Sequence, residues 1–205
     1  MNASLAYSRL LSLGPPVVRT SEVAAVLGST ALAASQTLRR LAAAGLVKPL
    51  RHGLFWVKQE PIDSWVALDW IAAPYPAYGS LYSALYLHGV LSQLPQTHYA
   101  VTLGRTQKVQ TAAGAYSLHQ MAPEVFGGFE TLGSGAKLAT VEKALFDLAY
   151  LADTRSRLFA RPPELELPAR VNRAELSRWV QRIKDPRRQT LVRLRLDGWI
   201  KASRR

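Results

Sequence analysis

Hydrophobic positions in the first sixty residues recur at helical spacing and are broken by short polar turns. Residues 3–13 offer Leu5, Leu10, Leu11 and Leu13 to a core, and Gly14-Pro15-Pro16 closes that helix. Thr20 is placed to cap a short helix over residues 21–27, which Gly28 ends. Thr30 opens a further helix in which Ala34, Leu38 and Leu41 share one face, leaving Ser35, Gln36 and Arg39 on the opposite one. Gly45 and Leu46 stop it. Two short apolar runs, 46–50 and 54–57, then flank Arg51-His52-Gly53 as a basic-tipped hairpin. Helix, tight turn, helix and hairpin in this order predict a winged helix-turn-helix over residues 1–60. A small helical bundle with an appended hairpin is the competing architecture.

The pattern changes after residue 60, so a second domain is expected over 61–205. Pro61 marks the exit, and Trp65, Leu68, Trp70 and Ile71 form an apolar segment that needs burial. Beyond Pro74-Tyr75-Pro76, Ser80 can cap a helix running to about His88 and ended by Gly89, with Leu81, Ala84, Leu85 and His88 on one face. Runs 99–103, 108–111 and 115–120 alternate as strands do, and the passage containing Gly127, Gly128, Gly133 and Gly135 carries one or two more. Thr140 caps a helix whose Val141, Ala144, Leu145, Leu148 and Ala149 form one stripe. Helix, sheet, helix predicts an α+β domain with a small antiparallel sheet. Residues 161–168 read as a proline-rich linker. Two basic helices follow, one capped by Asn172 and one by Asp185 with Pro186 in its first turn. In the second of these, Leu191, Leu194 and Ile200 are expected to dock while Arg187, Arg188, Arg193 and Arg195 stay outside.

Charge separates the same regions. Residues 1–60 carry seven Lys/Arg against two acids, residues 61–160 six against seven, and residues 161–205 thirteen against five, within a net +12. A polyanion gripped from both ends suits that division, and a merely solubilising basic tail is the blander reading. The candidate DNA contacts are therefore Thr30, Ser35, Gln36, Arg39 and Arg40 on the helix, Arg51 and His52 at the hairpin tip, and Arg187 and Arg188 near the C-terminus. The partner is double-stranded DNA, an operator expected as inverted repeats. With no cysteine, thiolate metal sites and cysteine nucleophiles are excluded, and a reducing cytoplasm is compatible. The opening MNASLAYSRLLSLGPP lacks the charge and apolar run of a secretory signal, and no apolar stretch approaches membrane-spanning length. A cytoplasmic protein away from the membrane is expected.

The residues Tyr78 through Val90, then Val101-Thr102 with Arg105, then Tyr116 and His119, then Ala139 through Asp147, resemble the AbiEi family of antitoxins from type IV, abortive-infection toxin–antitoxin systems. The resemblance spans about residues 5–150, its motifs being Ser83-Ala84-Leu85 with His88-Gly89 and Glu142-Lys143-Ala144-Leu145 with Asp147. It implies an N-terminal winged helix that represses its own operon. It also implies an α+β domain that counteracts a nucleotidyltransferase-like toxin encoded nearby, in phage defence. The last two helices have no match in that resemblance.

Catalytic patterns are sparse. His52, His88, His98 and His119 do not pair at metal-ligand spacing, so neither metal nor cofactor is expected and the chain reads as a non-enzyme. His88 reads as a hydrogen-bonded core residue. Glu142 and Asp147 fall five apart on a helix and do not share a face. Glu142 suits the helix N-terminus, and Lys143 is the i,i+4 partner of Asp147. Two other functions stay open: a DNA-targeting subunit of a nuclease with a carboxylate site in the second domain, and a ligand-sensing repressor whose pocket is lined by Trp65, Trp70, Tyr75 and Tyr82.

Overall fold

The computed structural model describes residues 3–154 and 158–203. The fold is mixed α+β and divides into two compact units, residues 1–71 with 110–115, and residues 72–109 with 116–205.

The first unit runs α1 (Ala3–Leu11), β1 (Val17–Arg19), α2 (Thr20–Val26), α3 (Ala31–Ala43), β2 (Lys48–Arg51), β3 (Leu54–Trp56) and α4 (Ser64–Ala72), of which all but the last residue belongs to it. Its three strands form an antiparallel sheet in the order β1-β3-β2, with Val17 and Lys48 both opposite Trp56. Strand β1 is an addition to the sequence reading, since three residues are too few for a period of two to show. Leu10, Val18, Val23, Ala34, Leu38, Leu41, Val47 and Val57 make one buried cluster, and Ala67, Leu68 and Ile71 of α4 are buried as well. The leucines of α1 correct the expectation: Leu5 is 51% exposed, and Leu11 and Leu13 also face water, because Ala6 and Leu10 already occupy the one inward row. Leu27 and Leu46 pack only at the core margin. The start of α2 is also corrected. Thr20 is its first residue, and Arg19, just outside, donates its N–H to Glu22 Oε2 at 2.7 Å. The helix follows β1 without a loop, so the Thr20 amide still bonds across to Gly53 O at 3.0 Å.

The second unit contains β4 (Ala77–Gly79), α5 (Leu81–Leu87), β5 (His98–Thr102), β6 (Gln107–Thr111), β7 (Gly114–Gln120), β8 (Phe129–Thr131), β9 (Lys137–Ala139), α6 (Val141–Leu151), α7 (Arg173–Gln181) and α8 (Pro186–Ala202). Its sheet is six-stranded in the order β6-β7-β5-β4-β9-β8. Pairs β5/β7 and β4/β9 are parallel, so the expected small antiparallel sheet is instead a larger mixed one. Alternation reveals strands but not their neighbours. The tip of the β6–β7 hairpin, residues 110–115, clusters with the first unit, where Ser64 Oγ donates to Ala113 O at 2.8 Å.

Helix α6 is buried from Lys143 to Leu151 and carries the core of this unit. Thr140, Asn172 and Asp185 cap their helices as the sequence indicates. Ser80 occupies the N-cap position of α5 but its hydroxyl is used elsewhere. Residues 161–168 are tied down at several points, with Leu165 buried, Glu166 N bonded to Val90 O and Leu167 N to Ser203 Oγ. They form a strap, not the expected linker. Helix α8 is rotated from its expected setting. Val192, Leu196 and Ile200 point inward, Leu191 and Leu194 are 46% and 63% exposed, and Arg188 and Arg195 lie on the docked side. Among the described residues, no helix is long and apolar enough to cross a membrane.

Candidate nucleic-acid interface

The geometry of α3 begins at its cap. Thr30 Oγ1 accepts from Ala33 N at 3.2 Å, satisfying one of the free amides of the first turn. Gly28, at φ +58°, and the bond from Ser29 N to Ala24 O set the tight connection from α2. Ala34, Leu38 and Leu41 are fully buried, which fixes the rotation of the helix. At 100° per residue the opposite side is then centred on Leu32, Gln36, Arg39 and Ala43, all exposed, with half-buried Ser35 beside them. Arg40 is exposed on the flank and its Nε donates to Gln36 O at 3.5 Å, within its own helix. No acid sits in the first turn of α3, so the positive end of its dipole has no carboxylate from its own first turn. Thr30, Ser35, Gln36, Arg39 and Arg40 thus come together on one element.

The hairpin residues divide. His52 is exposed in the turn between β2 and β3, next to Gly53 at φ +73°. Arg51 is half-buried and its Nη1 donates to Ile71 O at 2.7 Å, at the end of α4. Arg187 and Arg188 belong to the second unit. Arg187 is exposed, whereas Arg188 stacks 3.6 Å over the Tyr150 ring and donates through Nη2 to Tyr150 O. Arg195 likewise turns inward, forked onto Asp153 and the Ala149 carbonyl. The cations of α7 and α8 left facing water include Arg173, Arg178, Arg187, Arg193 and Lys201.

A polar cluster that periodicity does not reveal lies inside the second unit. Lys143 Nζ donates to Asp147 Oδ1 and to Val125 O, while Tyr78 Oη and Ser80 Oγ both donate to Asp147 Oδ2, at 3.0 and 2.7 Å. The ammonium also sits 4.6 Å from the Trp179 ring centre and 4.8 Å from that of Phe146. Desolvation lowers the Lys143 pKa and raises that of Asp147, each opposed by the attraction of the other. Burial first, and the Asp147 charge second, hold the Tyr78 hydroxyl well above its usual range. Gly128, at φ +72°, permits this packing, because a Cβ there would lie 2.5 Å from Trp179 and 2.9 Å from Lys143. The i,i+4 spacing of Lys143 and Asp147 was the only sequence signal.

His119 is buried, bonded through Nε2 to Ser117 Oγ at 2.9 Å and packed 4.8 Å from Phe159. Desolvation, then the Lys108 charge, lowers its pKa to about 4. His88 is exposed rather than buried, yet Nε2 lies 2.7 Å from Ala139 O. Among the described residues no three His, Asp or Glu side chains converge. Of the four aromatics read as a ligand pocket, Trp65 and Trp70 fall in the first unit, Tyr75 and Tyr82 in the second. Tyr82 and Tyr99 line an open cavity of about 420 Å³ with Leu91, Gln96 and Arg161.

Compared with known proteins, the chain matches no family model and no curated protein sequence.

Proposed function

We propose that the first unit is a winged helix that reads double-stranded DNA through α3, and that the protein is a transcriptional repressor of its own operon. One observation carries this reading: the buried row Ala34, Leu38 and Leu41 turns Gln36, Arg39 and their neighbours outward on a capped helix with an acid-free N-terminal turn. A helix so presented fits the major groove, where Gln pairs with adenine and Arg with guanine. In this reading the hairpin of β2 and β3, with His52 at its turn, serves as the wing. His52 then contacts phosphate or the minor groove, and Arg51, already bonded to Ile71 O, braces the hairpin. Arg39→Ala is expected to weaken binding to the selected operator by roughly 1–3 kcal/mol and binding to random duplex far less. Titration of both duplexes by fluorescence anisotropy decides it: equal losses would refute base reading.

The second unit is proposed as the antitoxin part, acting against a nucleotidyltransferase-like toxin. This rests on the resemblance of residues 78–90 and 139–147, stretches that meet in one place, through Ser80 on Asp147 and His88 on Ala139. Co-expression with the neighbouring gene product tests it, with protection of growth as the readout. The cavity beside Tyr82, Tyr99 and Arg161 favours a ligand-sensing repressor as the second reading, for which a ligand-dependent thermal shift is the discriminating result.

A further inference from the structure

The outward face of α3 contains one large apolar side chain, with Ala43 the only other apolar one beside Gln36 and Arg39. Leu32 is 71% exposed, more than any other large hydrophobic residue among those described. A single leucine in water is ordinary elsewhere on a surface, but this one stands at the middle of the face that α3 presents. Gln36 and Arg39 follow it at i+4 and i+7, so the three form one line along the helix. Its place is the first turn, directly after the Thr30 cap, and the N-terminal residues of a recognition helix are those that touch base edges. Of the groups that base pairs show in the major groove, only the C5-methyl of thymine is apolar.

We propose that Leu32 is a specificity residue that packs against the C5-methyl of a thymine in each half-site. The assignment rests on the DNA-reading function of α3 and adds to it a base and an atom. Leu32 supplies no hydrogen bond, so its discrimination is between thymine and bases that lack the methyl. Gln36, about 6 Å further along the helix axis, reads a neighbouring step by hydrogen bonding.

The test uses the full chain and the duplex that it enriches from a randomised pool. Each thymine of that duplex is replaced in turn by deoxyuridine, which removes the methyl and leaves every hydrogen-bonding group in place. At one thymine per half-site the wild-type protein is expected to bind about four-fold more weakly, the equivalent of one buried methyl. Leu32→Ala is expected to show no difference at that position and to bind the thymine duplex as wild type binds the uracil one. Leu32 lies outside the buried cluster of the first unit, so this variant should melt with the wild type, and Leu32→Met should restore the methyl dependence. A duplex with no methyl-sensitive thymine overturns the proposal, as does a sensitivity that persists in Leu32→Ala. A pool from which nothing is enriched overturns the DNA reading itself, a result distinct from binding without methyl dependence.

Discussion

Lys143 and Asp147 are both wholly buried and are paired with each other. Removing one partner of such a pair strands the other in a low dielectric, at a cost on the order of 3–5 kcal/mol, whereas removing both is much milder. Asp147→Asn is therefore expected to destabilise by that order, and Lys143→Met added to it to recover more than half of the loss. Urea unfolding of the two variants would measure it, and a double variant no better than the single one would contradict the argument. His119 gives a pH dependence whose sign follows from its depressed pKa of about 4. The unfolded chain takes up a proton near pH 6.5 and the folded one near 4, so the stabilisation is complete above 6.5 and is lost as pH falls toward 4. The limit of that loss is roughly 3 kcal/mol. His119→Gln can keep a hydrogen bond to Ser117 and should flatten the slope of stability between those two pH values. The spacing of Lys143 and Asp147 was readable in the sequence. Their depth was not, because lysine and aspartate are read as surface residues until their partners, here Tyr78, Val125 and Trp179, are brought in from distant positions.

Caps and stripes fixed most helices correctly, since the hydrogen bonds of Thr30, Thr140, Asn172 and Asp185 are local and need no tertiary knowledge. Besides the caps expected of Thr20 and Ser80 and the outward leucines of α1, an exception is α8, whose Leu191 and Leu194 suggested one face and whose packing uses another. Leu191 and Leu194 outweigh Val192 in a hydrophobic pattern, but Arg188 and Arg195 find acceptors and a tyrosine ring on α6 that hold them inward. Their aliphatic stems add to the buried surface. Leu196→Ala should accordingly cost roughly 2–5 kcal/mol and Leu194→Ala less than about 0.5, as thermal melts would show. The reverse order would restore the sequence-based register. At the same scale, the stretches that carry the family resemblance are explained by packing. Ser80 and Asp147 bond to each other, and His88 meets the end of β9, so these motifs specify a fold more directly than a toxin.

At the scale of the chain, the buried cluster that seats α3 draws its members from between Leu10 and Val57. A fragment of residues 1–60 should therefore fold alone, though with the marginal stability of so short a chain. A cooperative melt in circular dichroism, together with retained operator binding, is the expected result; a featureless trace would show that α4 is required. Proline and charge placed a boundary near residue 60, while contacts group α4 and residues 110–115 with the first unit. The bond between Ser64 and Ala113 joins positions 49 apart, and no local pattern announces it. That bond also has an order in time. Translation proceeds at about 5–20 residues per second, so residues 110–115 reach the first unit some 2–8 s after Ile71 has been synthesised. Helix α3 can be seated on its core while the ribosome is still making the second unit, and the Ser64–Ala113 bond forms later.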